Sequence, residues 1–565
     1  MGFSLPPPHL RAWYSYAFAA EVFSACALAI FLPITLEQMA REVGFYAPDL
    51  LEPCQTSSDT VEGIGRVCKA KIMGAWIDTA SFSMYVKSVA VAFQAICIIS
   101  VGPLADSTYW RKRLLITFAY SGSIAATLFL LFPHSSTPLL SALLNIISGA
   151  AYSTSIVCAN AFLPQLARED EDVRRLWDER MSADVRDEGP IEQDEEMGDL
   201  GGSPDSGDEA THLLPHQLVP AVMAISTQDL ADADPAVKTS LHDTTPESRY
   251  DALLSLTTSR LSSIGIAVGF FSGVSVLILL LIPVLALDGS TFSLRLGIGM
   301  SGIWWAVFTI PAWLGLPSNG GDRSEISTRQ IKEAWVKMGS MIAPSQIRQL
   351  PGLYTYLLAW IFLSDGFHTT TYAAILYASS VLSMSPPKII LVGILVQLAA
   401  VISSTLVPRL HHRLSTPDRP ITNFNILICC VLAAIIIPVY TSLGLVVSFG
   451  GLRTEGEMYV LAIWFGLIFG PFLSYSRAVY AELIPPGHES TFFSLFSFTD
   501  KSASFIGPAA VGLISDLTGN IRYGFLFLLV MLVVPIPVLW RVGIAEGRRD
   551  AVGWAERVQG RGGTD

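Results

Sequence analysis

Glu21 interrupts an apolar run that begins at Trp13, and Asp365, His368, Thr369 and Tyr372 follow at i, i+3, i+4 and i+7 inside another. That spacing puts the four on one helical face. A third run opens on Asp500 and Lys501. Ionisable groups inside apolar helices are costly, so they face a cavity or one another. Their chemistry is binding and proton transfer. A carboxylate takes an ammonium or a proton, a lysine takes a carboxylate, and an imidazole beside a carboxylate changes charge near physiological pH. Asp500 and Lys501, adjacent in a helix, point about 100° apart and should pair poorly with each other. Each then needs a partner on another helix, such as Arg477 for Asp500, or a zwitterionic ligand that offers both signs. Glu21 shares a stripe with Tyr14, Ala17, Phe18, Ser24 and Ala25. It lies roughly 12 Å into its run and Asp500 roughly 14 Å into its own. Lys87 is either a cavity cation or a side chain that snorkels to the surface. Arg477 and Glu482, near the end of another run, read as a gate. Asn145, Ser148, Gly149 and Tyr152 read as a packing stripe, and Gly265, Gly269 and Gly273 as a close helix contact.

The elements that must position these residues are membrane helices. Of 565 residues, 51% are hydrophobic and 15% charged, where a water-soluble domain carries about 25% charged. Crossing about 30 Å of hydrocarbon at 1.5 Å per residue takes roughly 20 apolar residues. Twelve such spans are predicted, at 13–36, 79–104, 114–133, 138–164, 260–286, 293–316, 350–381, 388–408, 422–442, 458–481, 491–515 and 521–541. The expected fold is an all-α membrane protein of two six-helix bundles. Residues 1–164 carry helices 1–4 and 256–316 helices 5–6, while 350–541 carry helices 7–12. Between them, 165–255 reads as a mostly disordered acidic linker. Its stretch from Arg168 to Ala210 holds 17 Asp and Glu against 5 Arg, which equals the whole net charge of −12. The second linker, 317–349, carries Ile331, Ala334, Trp335, Met338 and Met341 or Ile342 on one stripe. That pattern suits a helix lying in the membrane surface or a short linker helix. Residues 542–565 form a tail.

Basic residues orient the chain. Arg111 to Arg113 follow the second span, and Arg409, Arg413 and Arg419 follow the eighth, while the tail holds Arg541, Arg548 and Arg549. The positive-inside rule puts these segments, both termini and both linkers in the cytosol. The first loop, with Arg41, Arg66, Lys69 and Lys71, is a mild exception balanced by acids. Five of the seven cysteines fall in apolar runs. Cys54 and Cys68 lie in a polar loop and can form a disulfide where that loop faces an oxidising compartment. No G-x-x-x-x-G-K-[ST], G-x-S-x-G or H-E-x-x-H occurs, and the nine His lack metal-ligand spacing. An enzyme, a cofactor, a metal or a nucleic-acid partner is therefore not expected. A carrier or sensor of small molecules is, with protons as a second cargo and lipids as its surroundings.

The stretch "GPLADSTYWRKRLL", Gly102 to Leu115, is similar to the G-x-L-a-D…R-K motif of the major facilitator superfamily, with altered spacing after Asp106. The resemblance implies that Asp106, Arg111 and Lys112 bridge and cap helix ends as a cytosolic gate, and that helices 1 and 7 line a central cavity. Three further stretches are "WYSYAFAAEVFSACALAIFLPITLEQMARE", "LSDGFHTTTYAAILYAS" and "RAVYAELIPPGHESTFFSLFSFTDKSASFIGPAAVGLISDLTGNIRYGF". These resemble a fungal branch of that superfamily, the autophagy-related vacuolar amino-acid effluxers. The likeness spans nearly all twelve helices and fails in the linker. It implies a vacuole-membrane protein that exports neutral amino acids to the cytosol after autophagic breakdown, its bundles rocking about a midplane site. The alternative is a transport-dead amino-acid sensor or scaffold. Under either reading, Glu21, Asp365, His368, Tyr14, Thr369, Tyr372, Asp500 and Lys501 are the expected substrate- or proton-binding residues.

Overall fold

The computed structural model describes residues 6–54, 67–131 except 107, 138–177 except 172, 246–317, 339–414, 421–447, 450–485 and 489–562, with 332, 335 and 336. Most of the acidic linker, and most of the stripe from Ile331 to Met338, lie outside the described residues.

Local signals start the helices. Pro8, Pro138 and Pro351 open three of them, where the missing N–H has no intrahelical partner to lose. Ser290 Oγ accepts from the N–H of Ser293 at 3.3 Å, and Thr454 Oγ1 from that of Glu457 at 3.4 Å. The first half comprises α1 (Pro8–Glu42), α2 (Thr79–Asp106), α3 (Thr108–Thr127), α4 (Pro138–Asn160), α5 (Pro246–Ala286) and α6 (Thr291–Gly315). The second comprises α7 (Pro351–Ser380), α8 (Pro386–Leu414), α9 (Asn423–Leu443), α10 (Glu455–Ala481), α11 (Glu489–Ala503), α12 (Ile506–Thr518) and α13 (Ile521–Trp540). In the first half α1 packs against α5 and α6, and α4 joins α2 to α3; in the second, α10 joins α8 to α9. The halves meet where α2 runs along α12 and α5 along α8. Phe271, Leu314 and Trp540 stay 72%, 77% and 68% exposed on the outside, an apolar surface suited to lipid.

The glycine stripe of α5 lets α1 come close. A Cβ on Gly269 would lie 2.9 Å from the Glu21 Cβ, and one on Gly273 would lie 3.0 Å from the Ala25 Cβ.

The structure departs from the expected spans at several points. Among the described residues, ten helices are long and apolar enough to cross a membrane. The seventh expected span is α7, 30 residues long, whose mid-length Asp365, His368 and threonines make it too polar to count among the ten. The eleventh is broken into α11 and α12 at Ser504 and Phe505. Within α1, Phe23–Phe31 is π-helical, so each turn takes an extra residue and a stripe drawn at 3.6 residues per turn drifts beyond Val22. The all-α expectation misses a three-stranded antiparallel sheet of β1 (Gly44–Tyr46), β2 (Cys68–Ile72) and β3 (Ala75–Asp78). Met73 and Gly74, at φ +50° and +87°, make the two-residue turn that a tight hairpin needs. A disulfide joins Cys54 to Cys68. Arg111 to Arg113 are the fourth to sixth residues of α3 rather than part of a loop. The tail forms a helix, α14 (Ile544–Gly562), with Gly547 against Gly352 of α7 and Trp554 edge-on to Phe492. The sheet marks one end of the bundle, the hairpin side; the linkers mark the other.

Candidate functional site

A cavity of about 380 Å³ opens between the halves, its wall formed chiefly by α1, α2, α7, α8 and α10, with residues from α5, α9, α11, α12 and α13. That volume suits a small molecule, whose sites span about 300–1,000 Å³. Glu21 enters the wall from α1, braced from behind by Gly269. Its carboxylate has no hydrogen bond or ion pair among the described residues. Lys87 of α2 also lines the cavity, its ammonium 5.5 Å from the centre of the Tyr372 ring. Lys501, His368, Thr369, Tyr372 and the amides of Gln94 and Gln397 belong to the polar lining, together with several hydroxyls such as Ser24 and Ser504. The Gln397 Oε1 is buried without a hydrogen bond among the described residues. Phe465 and Phe469 lead the apolar part.

The face of α7 is divided in use. His368, Thr369 and Tyr372 reach the cavity, whereas Asp365 is 1% exposed and does not line it. Its carboxylate accepts from Thr369 Oγ1 at 3.0 Å and from the N–H of Gly507, at the start of α12, at 2.7 Å. Asp500 is 2% exposed. It pairs with Lys501 at 2.9 Å, accepts from Ser364 Oγ, and has His368 Nε2 at 4.0 Å. The expectation that Asp500 and Lys501 pair poorly is therefore wrong. The long lysine stem bends back across the 100°, helped by the helix ending two residues later at Ala503. Arg477 lies within electrostatic reach of Asp500.

Other expected residues fall elsewhere. Tyr14 stands edge-on to Trp13, and Phe18 packs on Trp304 and Phe308, while Glu21, Ser24 and Ala25 face the cavity. Arg111 is 7% exposed, and its Nε donates to the carbonyl of Ala105 at the end of α2 at 2.9 Å. The Lys112 ammonium donates to the carbonyl of Leu316 just past α6 at 2.7 Å. Both cap helix C-termini with positive charge. The Asp106 side chain lies outside the described residues. Glu482 ties α14 to α9, accepting from Arg548 at 2.9 Å and from Asn423 at 2.8 Å.

The halves are latched at the hairpin side. Ser83 Oγ and the Tyr372 hydroxyl lie 2.9 Å apart, and Ser88 Oγ donates to the carbonyl of Phe505 at 2.7 Å. Asp78, ending β3, donates its N–H to Asp516 Oδ1 at 2.9 Å and accepts from Ser515 Oγ at 3.2 Å. Lys69 lies 3.6 Å from Asp516. Sequence reasoning missed this latch, whose residues sit at span ends where polar groups are unremarkable. It also missed Gln94 and Gln397, lone amides in apolar runs that the cost of burying polar groups would have flagged.

Two helical halves around a central cavity that sets a few ionisable groups in an apolar wall have the fold of the major facilitator type. A D-xylose–proton symporter of known structure superposes with a TM-score of 0.54, covering 95% of this chain and 99% of its own at 12% identity, a likeness of fold. The chain matches the Atg22-like vacuole effluxer family over residues 6–552 and belongs to it. It is 70% identical to Autophagy-related protein 22 of Cryptococcus neoformans var. neoformans serotype D (strain JEC21) over 99% of this chain and 98% of that one. Autophagy-related protein 22-1 of Penicillium rubens is 35% identical, covering 98% and 92%. The protein is thus a multi-pass vacuolar membrane transporter.

Proposed function

We infer that the protein exports neutral amino acids from the vacuole lumen to the cytosol by alternating access, with the hairpin side luminal and both termini cytosolic. The observation that carries this reading is a cavity that holds the Lys87 ammonium, the Gln397 Oε1 and a Glu21 carboxylate with no hydrogen bond or ion pair among the described residues. A zwitterion presents the two signs those groups accept, and the apolar wall leaves room for an uncharged side chain. Lys87 takes the substrate carboxylate, and Gln397 Oε1 accepts from its ammonium. Glu21 takes up a proton on the luminal side and gives it up on the cytosolic side. The disulfide supports the orientation, since such bonds persist in oxidising compartments.

Counterflow of labelled neutral amino acids in proteoliposomes, with and without a pH gradient, tests the reading. Lys87→Met should weaken substrate affinity at every pH. Glu21→Gln should keep counterflow and lose the response to the gradient; a fall in affinity at every pH would instead assign Glu21 to the substrate ammonium. Binding without counterflow by the unmodified protein would overturn transport in favour of sensing.

A further inference from the structure

Glu21 borders two cavities. Besides the central one, its side chain lines a smaller space of about 50 Å³ bordered by α1, α4 and α5. Trp13, Tyr16, Ala17, Asn160, Ser262 and Gly265 help to form it. Gly265 and Gly269 of α5 line it with the Trp13 ring and the Glu21 Cβ packed closely against them: a Cβ on Gly269 would lie 2.9 Å from that of Glu21, and one on Gly265 closer still to the Trp13 ring, so the space sits beside a tight helix contact. Its walls are fixed. Trp13 Nε1 donates to the carbonyl of Ala159 at 2.8 Å, and the Tyr16 hydroxyl donates to Ser155 Oγ at 2.6 Å. From Gly269, behind Glu21, to Ser262 is about 10 Å along the helix at 1.5 Å per residue. Asn160 is the last residue of α4, and Ser262 precedes the apolar span that starts at Ile264, so the space runs from mid-bundle to the linker side.

We propose that this small cavity is a hydrated proton outlet, separate from the substrate cavity, leading from the Glu21 carboxyl to the linker side. The proposal rests on Glu21 as the proton carrier. A buried water needs about 10–15 Å³ and 2–4 polar partners. The space has the volume for about three, and the Glu21 carboxyl, the Asn160 amide, the Ser262 hydroxyl and the Tyr16 oxygen supply partners. The Glu21 O–H bond breaks as an O–H bond forms on the adjacent water; the carboxylate stays, and the charge passes along the waters to the linker side. Substrate leaves by the central cavity, so release of one cargo does not wait for the other. The titratable groups around Glu21 leave this route open. Tyr16 and Cys26 lie on its own helix and Tyr152 on α4, while α5 presents glycine. Lys87, His368 and Lys501 face it only from the central cavity.

Ala17→Leu and Ser262→Leu fill the small cavity without touching the central one. In proteoliposomes, both should keep counterflow within about twofold, while gradient-driven accumulation and substrate-coupled proton movement, followed with a trapped pH dye, fall about tenfold or more. Ala17→Ser, which keeps the space wet, should behave as the unmodified protein. Full coupling in both filled variants, with Glu21→Gln uncoupled, would overturn the outlet and leave Glu21 as carrier. Full coupling in Glu21→Gln would overturn the carrier reading itself. Equal loss of counterflow and coupling in both filled variants would make the cavity a packing defect and also overturn the outlet.

Discussion

The N–H of Gly507 donates to Asp365 Oδ2 at 2.7 Å, so the carboxylate of α7 caps the second piece of the broken eleventh span. The partial positive charge of a helix N-terminus favours an anion there. Asp365→Ala should destabilise the protein by about 1–3 kcal/mol, the cost of stranding a buried donor, and Asp365→Asn by less, because an amide oxygen still accepts. Gly507→Ala should match the alanine variant, since its Cβ would sit 2.5 Å from Asp365 Oδ1. Thermal unfolding in detergent measures all three. Unchanged stability with lost coupling would return Asp365 to the proton path.

The hairpin latch should respond to acid. Burial outweighs the hydrogen bonds from Ser81 and Ser515 and, with Asp516 nearby, holds the Asp78 carboxyl above the usual carboxylate range. Lys69 and Asp516 face the latch from β2 and α12, and Glu37 lies close enough on α1 to sense Asp78. A raised value means that the latched form binds the proton more tightly than one in which water reaches Asp78. The latch therefore gains its full contribution below the ordinary carboxylate value and loses it as pH rises through the raised one. Spin labels at Met73 and Leu517, 87% and 76% exposed, should report more of the short distance at about pH 4 than at about pH 7. Asp78→Asn should hold the short distance at both; a pH response unchanged by that substitution would exclude Asp78 as its source.

The Cys54–Cys68 disulfide closes a loop with a sequence separation of 14. Chain entropy makes such closure worth about 3 kcal/mol. Paired serine substitutions should lower the melting temperature while leaving counterflow in place. Peptide mapping without reductant should find neither thiol alkylated, and finding both alkylated would place the hairpin in a reducing compartment.

Deletion of 178–245 should leave membrane insertion and transport intact, because an acidic stretch short of bulky apolar residues cannot form a packed core. Val173, just before it, is fully buried and marks where the deletion must stop. A purified deletion protein that binds amino acid yet fails in counterflow would give the linker a mechanical role.

The helical architecture was readable because apolar run length is a strong signal: most predicted spans match a helix to within a few residues. Asp365 shows where that reading ended. Its depth and its i, i+3 relation to His368 were visible, but whether it faced the cavity or a break in another helix depends on the fold at Ser504 and Phe505. The same holds for Asp500, whose pairing turned on where α11 stops. The β-hairpin escaped because its strands, three to five residues long, are too short for the alternation of Lys69 and Lys71 with Cys68, Ala70 and Ile72 to stand out. Lys87 was visible as a charge in a span, and only its place beside Tyr372 settled that it lines the cavity.

The break between α11 and α12 also bears on hydration. Inside hydrocarbon a backbone carbonyl has no solvent to fall back on. The oxygen of Phe505 accepts from Ser88 of the opposite half at 2.7 Å and from the N–H of Ala509 at a long 3.4 Å, so separating the halves at that point withdraws its nearer partner. Without Ser88 the oxygen keeps only the long bond from the Ala509 N–H, so water has to enter with the movement to replace the shorter one. Opening the hairpin side is then a wetting transition as much as a rotation, and faster deuterium uptake at the amides of α12 near Phe505, compared with those of α10, would register it.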